Sequence, residues 1–132
     1  MSNGMSETPI QQRIQLEAAQ RGITLYRNNV GVAINQSGRP VRYGLANDSE
    51  KLNHIFKSSD LIGITPVLIM PEHVGQIFGV FTAIECKRED WKYRDSDDRA
   101  KAQKRFIDHV LQNGGYAGFC NDPSTIAEIV RR

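Results

Sequence analysis

Two apolar runs separated by a short polar segment constrain this chain more than any other stretch. DLIGITPVLIM (residues 60–70) and IFGVFTAIECK (residues 77–87) flank PEHVGQ, and strand-like runs joined this way predict an antiparallel hairpin. If the turn centres near His73 or Val74, the residue opposite Asp60 falls at about 86–88, with room for a bulge or a register shift. Alternation along the second run sets Phe81, Ala83, Glu85 and Lys87 on one face and Val80, Thr82, Ile84 and Cys86 on the other. The expected hairpin thus ends with a carboxylate and an ammonium side by side and with Asp60 arriving next to them.

Around this hairpin the pattern alternates helix and strand. Residues 1–7 read as a disordered leader, and a single domain is expected over 8–132. Thr8 as cap, Pro9 at the first helical position, Gln11 completing a capping box and Gly22 as stop predict a helix over residues 9–21. At about 100° per residue, Ile10, Ile14 and Ala18 form its apolar stripe, and Glu17 falls inside that stripe. Residues 23–34 read as a strand, NQSGRP as a turn and 41–45 as the returning strand; 46–59 read as a loop with a short helical turn. A second long helix runs from Asp98 or Arg99 to the Gly114-Gly115 stop, with Ala102, Phe106, Ile107 and Val110 as its apolar stripe and Gln103 near the middle of it. YAGFC (116–120) reads as a buried strand, followed by a last helix over 123–131 capped by Asp122.

Composition narrows the class without naming a partner. A chain of 132 residues, 39% hydrophobic and 24% charged, fits one soluble domain. Its 17 basic and 15 acidic residues leave a net charge of +2, which neither demands nor excludes nucleic acid. Cys86 and Cys120 have no metal-type spacing and lie in apolar stretches, so both are expected as buried free thiols in a reducing compartment. No apolar segment is long enough to span a bilayer, and a cytoplasmic protein is expected.

The polar residues in apolar places then ask for an explanation. Asp60, Glu85 and Glu17 are carboxylates, and carboxylates sharing a desolvated site raise one another's pKa unless a cation joins them. An all-oxygen set without His or Cys at ligand spacing suits a hard divalent ion such as Mg²⁺ or Mn²⁺. Such an ion polarises a phosphodiester and lowers the pKa of bound water, while Lys87 is placed to neutralise charge developing on the phosphate. Phosphodiester hydrolysis is the reaction these residue types predict.

Asp60 followed by a hairpin and Glu85-Cys86-Lys87 resembles the D…ExK arrangement of the PD-(D/E)xK nuclease superfamily, although no Pro precedes Asp60. The ordered set RNNVG (27–31), SSDLIG (58–63), AIECK (83–87), AQKRFIDHV (102–110) and NGGYAGF (113–119) is similar to the virus-type replication-repair nuclease family, VRR-NUC, over nearly the whole chain. The resemblance implies an α/β fold with a restriction-endonuclease-like core: a central mixed β-sheet whose antiparallel hairpin carries D…ExK, flanked by helices. It implies Asp60 and Glu85 as metal ligands, the Cys86 main-chain carbonyl as a further ligand, Lys87 as the catalytic lysine, and Glu17 and Gln103 as the family's helix-borne acidic residue and glutamine. Stand-alone members resemble Holliday junction resolvases, so branched DNA as substrate, Mg²⁺ or Mn²⁺ as cofactor and a homodimer are implied.

Bland alternatives stand beside each assignment. Glu85 and Lys87 also fit a solvated strand-end ion pair, Glu17 a snorkelling helix residue, and Gln103 a satisfied buried amide joining helix to strand. Arg27, Asn28 and Asn29 fit strand-edge polars or donors to DNA phosphates. Arg88 and Lys104 belong to a mixed-charge stretch that is either a solvated face or, with Trp91 and Tyr93, a contact to DNA backbone or a branch point. At the level of function, the rivals to a DNA endonuclease are a non-catalytic DNA-binding module on the same fold and a nuclease directed at other DNA or RNA structures.

Overall fold

The computed structural model of the chain describes residues 7–131, so the leader expected over 1–7 lies almost wholly outside the described residues. The fold is mixed α/β, as the alternating pattern requires, and its residues separate into two compact units, Met1–Gly63 and Ile64–Arg132.

The first unit opens with helix α1 (Glu7–Gln20). Thr8 lies within this helix and not before it, which differs from the expected cap. The predicted stop at Gly22 holds: Gly22 takes φ +76°, its N–H donates to Ala19 O at 3.1 Å, and Ile23 N–H donates to Ala18 O at 2.9 Å. Those two bonds form a Schellman motif, which needs a residue that tolerates the left-handed conformation. The expected strand over 23–34 is broken into β1 (Thr24–Arg27) and β2 (Gly31–Ile34). β2 pairs antiparallel with β3 (Pro40–Tyr43) in the register Gly31↔Tyr43 to Ile34↔Pro40, as the NQSGRP turn predicts. A short helix, α2 (Glu50–Ile55), follows with Ser49 as its cap, and β4 (Leu61–Ile64) pairs with β1.

Two residues hold this unit's loops in place. Asn47 is only 2% exposed; its Nδ2 donates to Gly31 O and Tyr43 O at 2.8 Å each, and its Oδ1 accepts from Arg42 Nη2 at 2.7 Å. A buried amide is tolerated because every polar atom on it has a partner. Gly63 meets β1 so closely that a Cβ there would stand 1.8 Å from Thr24 O, which explains a glycine inside an otherwise branched strand.

The second unit is built on a parallel pair. β5 (Thr82–Cys86) and β6 (Tyr116–Cys120) align in the register Thr82↔Tyr116 to Cys86↔Cys120, with helix α3 (Asp98–Gln112) as the crossover between them. Parallel neighbours cannot be joined by a tight turn, so the long charged connection and α3 are what the topology requires. Asp97 caps α3 by accepting from Ala100 N–H, and Gly114 at φ +88° ends it. The face bearing Ala83, Glu85, Ala117 and Phe119 packs under α3. Ile64, Ile107, Val110 and Ala117 form the core there, with Phe81, Ala83 and Phe119 against it. A 3-10 turn (Pro123–Thr125) and short helix α4 (Ile126–Ile129) replace the longer helix expected over 123–131.

Several expectations are corrected here. The strand pairings couple β4 to β1 and β5 to β6, so the antiparallel hairpin between 60–70 and 77–87 does not form. β4 ends at Ile64, two residues before Pro66, which has no N–H to give a ladder. Met70 to Val74 instead forms a tight 3-10 turn, with Met70 N–H donating to His73 Nδ1 at 3.0 Å, and Leu68 and Ile77 remain 80% and 99% exposed. Among the described residues the sheets are three two-stranded pieces and not one central sheet. The buried stripe of α3 is Ala100, Ile107 and Val110 with half-buried Gln103, while Ala102 and Phe106 are exposed. Cys86, expected in the core, is exposed, and Cys120 is half-buried; both thiols are free.

Candidate functional site

Glu85 and Lys87 lie at the C-terminal end of β5 on the face covered by α3, which carries Gln103 toward them. The three side chains meet. Lys87 Nζ donates to Gln103 Oε1 at 2.7 Å, and Gln103 Nε2 donates to Glu85 Oε1 at 2.7 Å. The direct Lys87–Glu85 separation is 3.9 Å, too long for a hydrogen bond, so the neutral amide mediates between the charges. The strand-end ion pair expected as the bland alternative is thus present at 3.9 Å, and Gln103 bridges it: the amide accepts from the lysine and donates to the carboxylate.

Exposure divides the roles further. The Lys87 side chain is 15% exposed and that of Glu85 is 39% exposed. Both contacts to Glu85 reach the same oxygen, Oε1, so Oε2 has no partner among the described residues. Beside it, a cleft of about 500 Å³ runs between β5 and α3, lined by Glu85, Gln103, Arg99, Ala102 and Phe106 among others. Arg99 adds a fixed positive charge to that lining, a suitable neighbour for an anionic ligand.

Lys87 also has an aromatic surround that the sequence pattern did not reveal. Its Nζ stands 5.1 Å from the Trp91 ring centroid and 5.7 Å from that of Phe119. Trp91 is the chain's only tryptophan, which was the available signal, but Phe119 reaches Lys87 only through the pairing of Glu85 with Phe119 across the parallel strands.

The remaining sequence-predicted residues fall as follows. In the first unit, Asp60 is exposed immediately before β4; its main-chain O accepts from Asn28 N–H at 2.8 Å, and its carboxylate has no partner among the described residues. Glu17 pairs with Arg21 at 3.2 Å one helical turn on, both side chains well exposed. Asn28 is fully engaged within its own unit: Nδ2 donates to Ser58 Oγ at 2.8 Å and Ser59 O at 2.9 Å, and Oδ1 accepts from Leu45 N–H at 3.2 Å. It clips the chain before Asp60 into place, which leaves Arg27 and Asn29 as the exposed members of that stretch. In the second unit, Arg88 pairs with Asp90 and Lys104 with Asp108, both at 3.0 Å on the surface. The Asp108 carboxylate raises the Lys104 pKa above the usual lysine value. Partial burial and a hydrogen bond with Asp95 raise the Tyr93 hydroxyl in the same way.

A divalent ion can be tested against this donor set. No group of three or more His, Cys, Asp or Glu side chains is gathered among the described residues. Mg²⁺ does not require one: it keeps several waters and is held by one or two carboxylates together with substrate phosphate. Glu85 Oε2 supplies one hard oxygen. Phe81 and Lys87 bond to β6 through their backbones, so the alternating Cys86 carbonyl turns toward the opposite edge of β5, where no strand pairs with it among the described residues. Both are hard oxygens, the donor type such a cation takes, whereas the exposed Cys86 thiol is a soft donor on the other face of β5. No matching family model, curated protein or solved structure was found for this chain. No helix among the described residues is long and apolar enough to cross a membrane.

Proposed function

We propose that this chain is a divalent-metal-dependent DNA endonuclease of the VRR-NUC kind, with a restriction-endonuclease-like core, acting on branched DNA as a cytoplasmic homodimer. The observation that carries the reading is the Lys87–Gln103–Glu85 chain of hydrogen bonds at the end of β5, beside an open cleft. A half-exposed carboxylate whose second oxygen has no partner among the described residues, bridged by an amide to an enclosed ammonium and open to a cleft, suits contact with a phosphodiester.

In this reading Glu85 and the Cys86 carbonyl would hold Mg²⁺ or Mn²⁺, with Asp60 assigned as a further ligand by the family resemblance alone; the ion when bound supplies Lewis acidity and a water of lowered pKa. Lys87 places its ammonium against the phosphate, where negative charge grows as the bond to the leaving oxygen breaks. Gln103 fixes the direction of that ammonium through its Oε1 and holds Glu85 through its Nε2. Arg99, Arg27, Asn29, Arg88 and Lys104 donate to DNA phosphates, the last two after exchanging their surface carboxylate partners. Glu17 is assigned to the site by the family resemblance alone.

The test is cleavage of a labelled four-way junction, a flap, a linear duplex and an RNA in Mg²⁺, Mn²⁺ or EDTA. Metal-dependent cutting of a branched DNA, lost in Asp60→Ala, Glu85→Ala and Lys87→Ala with binding retained, is the expected result. Binding without products under every metal would replace the reading with a DNA-binding module, and wild-type cutting by any of the three variants would remove that residue from the site.

A further inference from the structure

Hydrogen bonding accounts for one side of Lys87, and aromatic rings account for much of the rest. Trp91 and Phe119 both lie within the roughly 6 Å over which a ring quadrupole attracts an ammonium. The two rings pack on each other at 4.7 Å, and Tyr93 stands 5.8 Å from Phe119 and 6.3 Å from Trp91. Their anchorage does not depend on the lysine. Phe119 is fixed by the β5–β6 register. Trp91 N–H donates to Arg88 O at 3.0 Å, and Asn121 Nδ2 donates to Glu89 O at 3.0 Å and Trp91 O at 3.3 Å, tying the connection after β5 to the residue after β6. A rigid aromatic corner therefore exists for the ammonium to sit in.

The geometry points to Trp91 and Phe119 as positioning residues for Lys87, holding its ammonium by their ring faces while Gln103 sets its direction. Aliphatic side chains would fill the same space but would offer the charge no electrostatic partner. A lysine stem is flexible and its ammonium strongly hydrated, so an ammonium that must meet a phosphate at one point gains from being partly dehydrated and held beforehand. What the ammonium is held for rests on the nuclease reading; that it is held by aromatic faces does not.

The experiment compares the full chain with Trp91→Phe and Trp91→Leu, using two readouts. One is the rate at which a small amine-acylating reagent modifies Lys87 at fixed pH, followed by mass spectrometry of the folded protein. The other is kcat and KM on a four-way junction with Mg²⁺. Trp91→Leu is expected to label Lys87 about tenfold faster and to cut about tenfold more slowly at unchanged KM, with Trp91→Phe restoring most of both. Phe119→Leu repeats the comparison if a Trp91 variant fails to fold. Equal labelling in the Leu and Phe variants overturns the proposal, because the rings would then only fill space. Labelling needs no DNA: a Leu/Phe split in a protein that cuts nothing removes the nuclease reading alone, and Lys87-dependent cutting without a split removes the aromatic clamp alone.

Discussion

Gln103 Nε2 donates to Glu85 Oε1 at 2.7 Å, joining the middle of α3 to the end of β5. The same amide accepts from Lys87, so replacing it disturbs Glu85 and Lys87 at once. Gln103→Ala is expected to lower cleavage by about tenfold to a hundredfold, in the range seen for residues that orient metal ligands. It is also expected to raise the Mn²⁺ concentration needed for half-maximal rate. A shift in rate with no change in the metal titration would assign Gln103 to Lys87 alone.

Glu85→Gln keeps an oxygen within reach of Gln103 but removes the charge that a hard cation needs. Mn²⁺ binding to the DNA-free protein, measured by electron paramagnetic resonance or titration calorimetry, is expected to weaken markedly. Unchanged binding would exclude Glu85 as a ligand whatever happens to cleavage.

Asn47→Ala leaves the carbonyls of Gly31 and Tyr43 without their side-chain donor in a site sealed from water. Unsatisfied buried groups cost about 1–3 kcal/mol, so the urea midpoint of the variant is expected to fall accordingly. A difference of a few tenths would mean that water reaches the site.

Gly63→Ala drives a methyl into the Thr24 carbonyl and forces β1 and β4 apart. Overpacking of this kind costs about 1–3 kcal/mol, visible as a lower thermal midpoint by circular dichroism. An unchanged midpoint would show that this strand pair yields without loss.

Cys86 is exposed, whereas the Cys120 thiol is half-buried and donates to Asp122 O at 3.2 Å. A thiol reagent applied to native protein is expected to modify Cys86 quickly and Cys120 slowly. Equal rates would contradict the assignment of Cys86 to the open side of β5.

The parts of this arrangement that were legible in the sequence are those set by local rules. The Gly22 and Gly114 stops, the Asn35–Arg39 turn and the position of Gln103 on the buried face of α3 follow from caps, φ and helical period. The neighbourhood of Glu85 and Lys87 follows from strand alternation. What local rules did not reach is pairing. The apolarity of residues 65–70 and 77–81 predicts a hairpin equally well whether or not prolines and glycines break its ladder, and Pro66, Pro71 and the positive φ of Gly75 decided the matter. Trp91 and Phe119 were opaque for a related reason: they meet through a parallel register that spans α3. Glu17 illustrates a third limit: helical period sets it within an apolar stripe, yet its carboxylate extends to Arg21 in solvent.

The parallel register has a consequence in time as well as in space. During synthesis, β5 emerges with Glu85 and Lys87 already in sequence, but α3 and β6 must follow before any contact among Glu85, Gln103 and Phe119 can form. Parallel pairings of this kind close long loops and are slow relative to hairpins. The site is therefore a late product of folding, and a nascent chain halted before Tyr116 carries every acidic and basic group proposed for catalysis without the strand that brings Phe119 to Lys87.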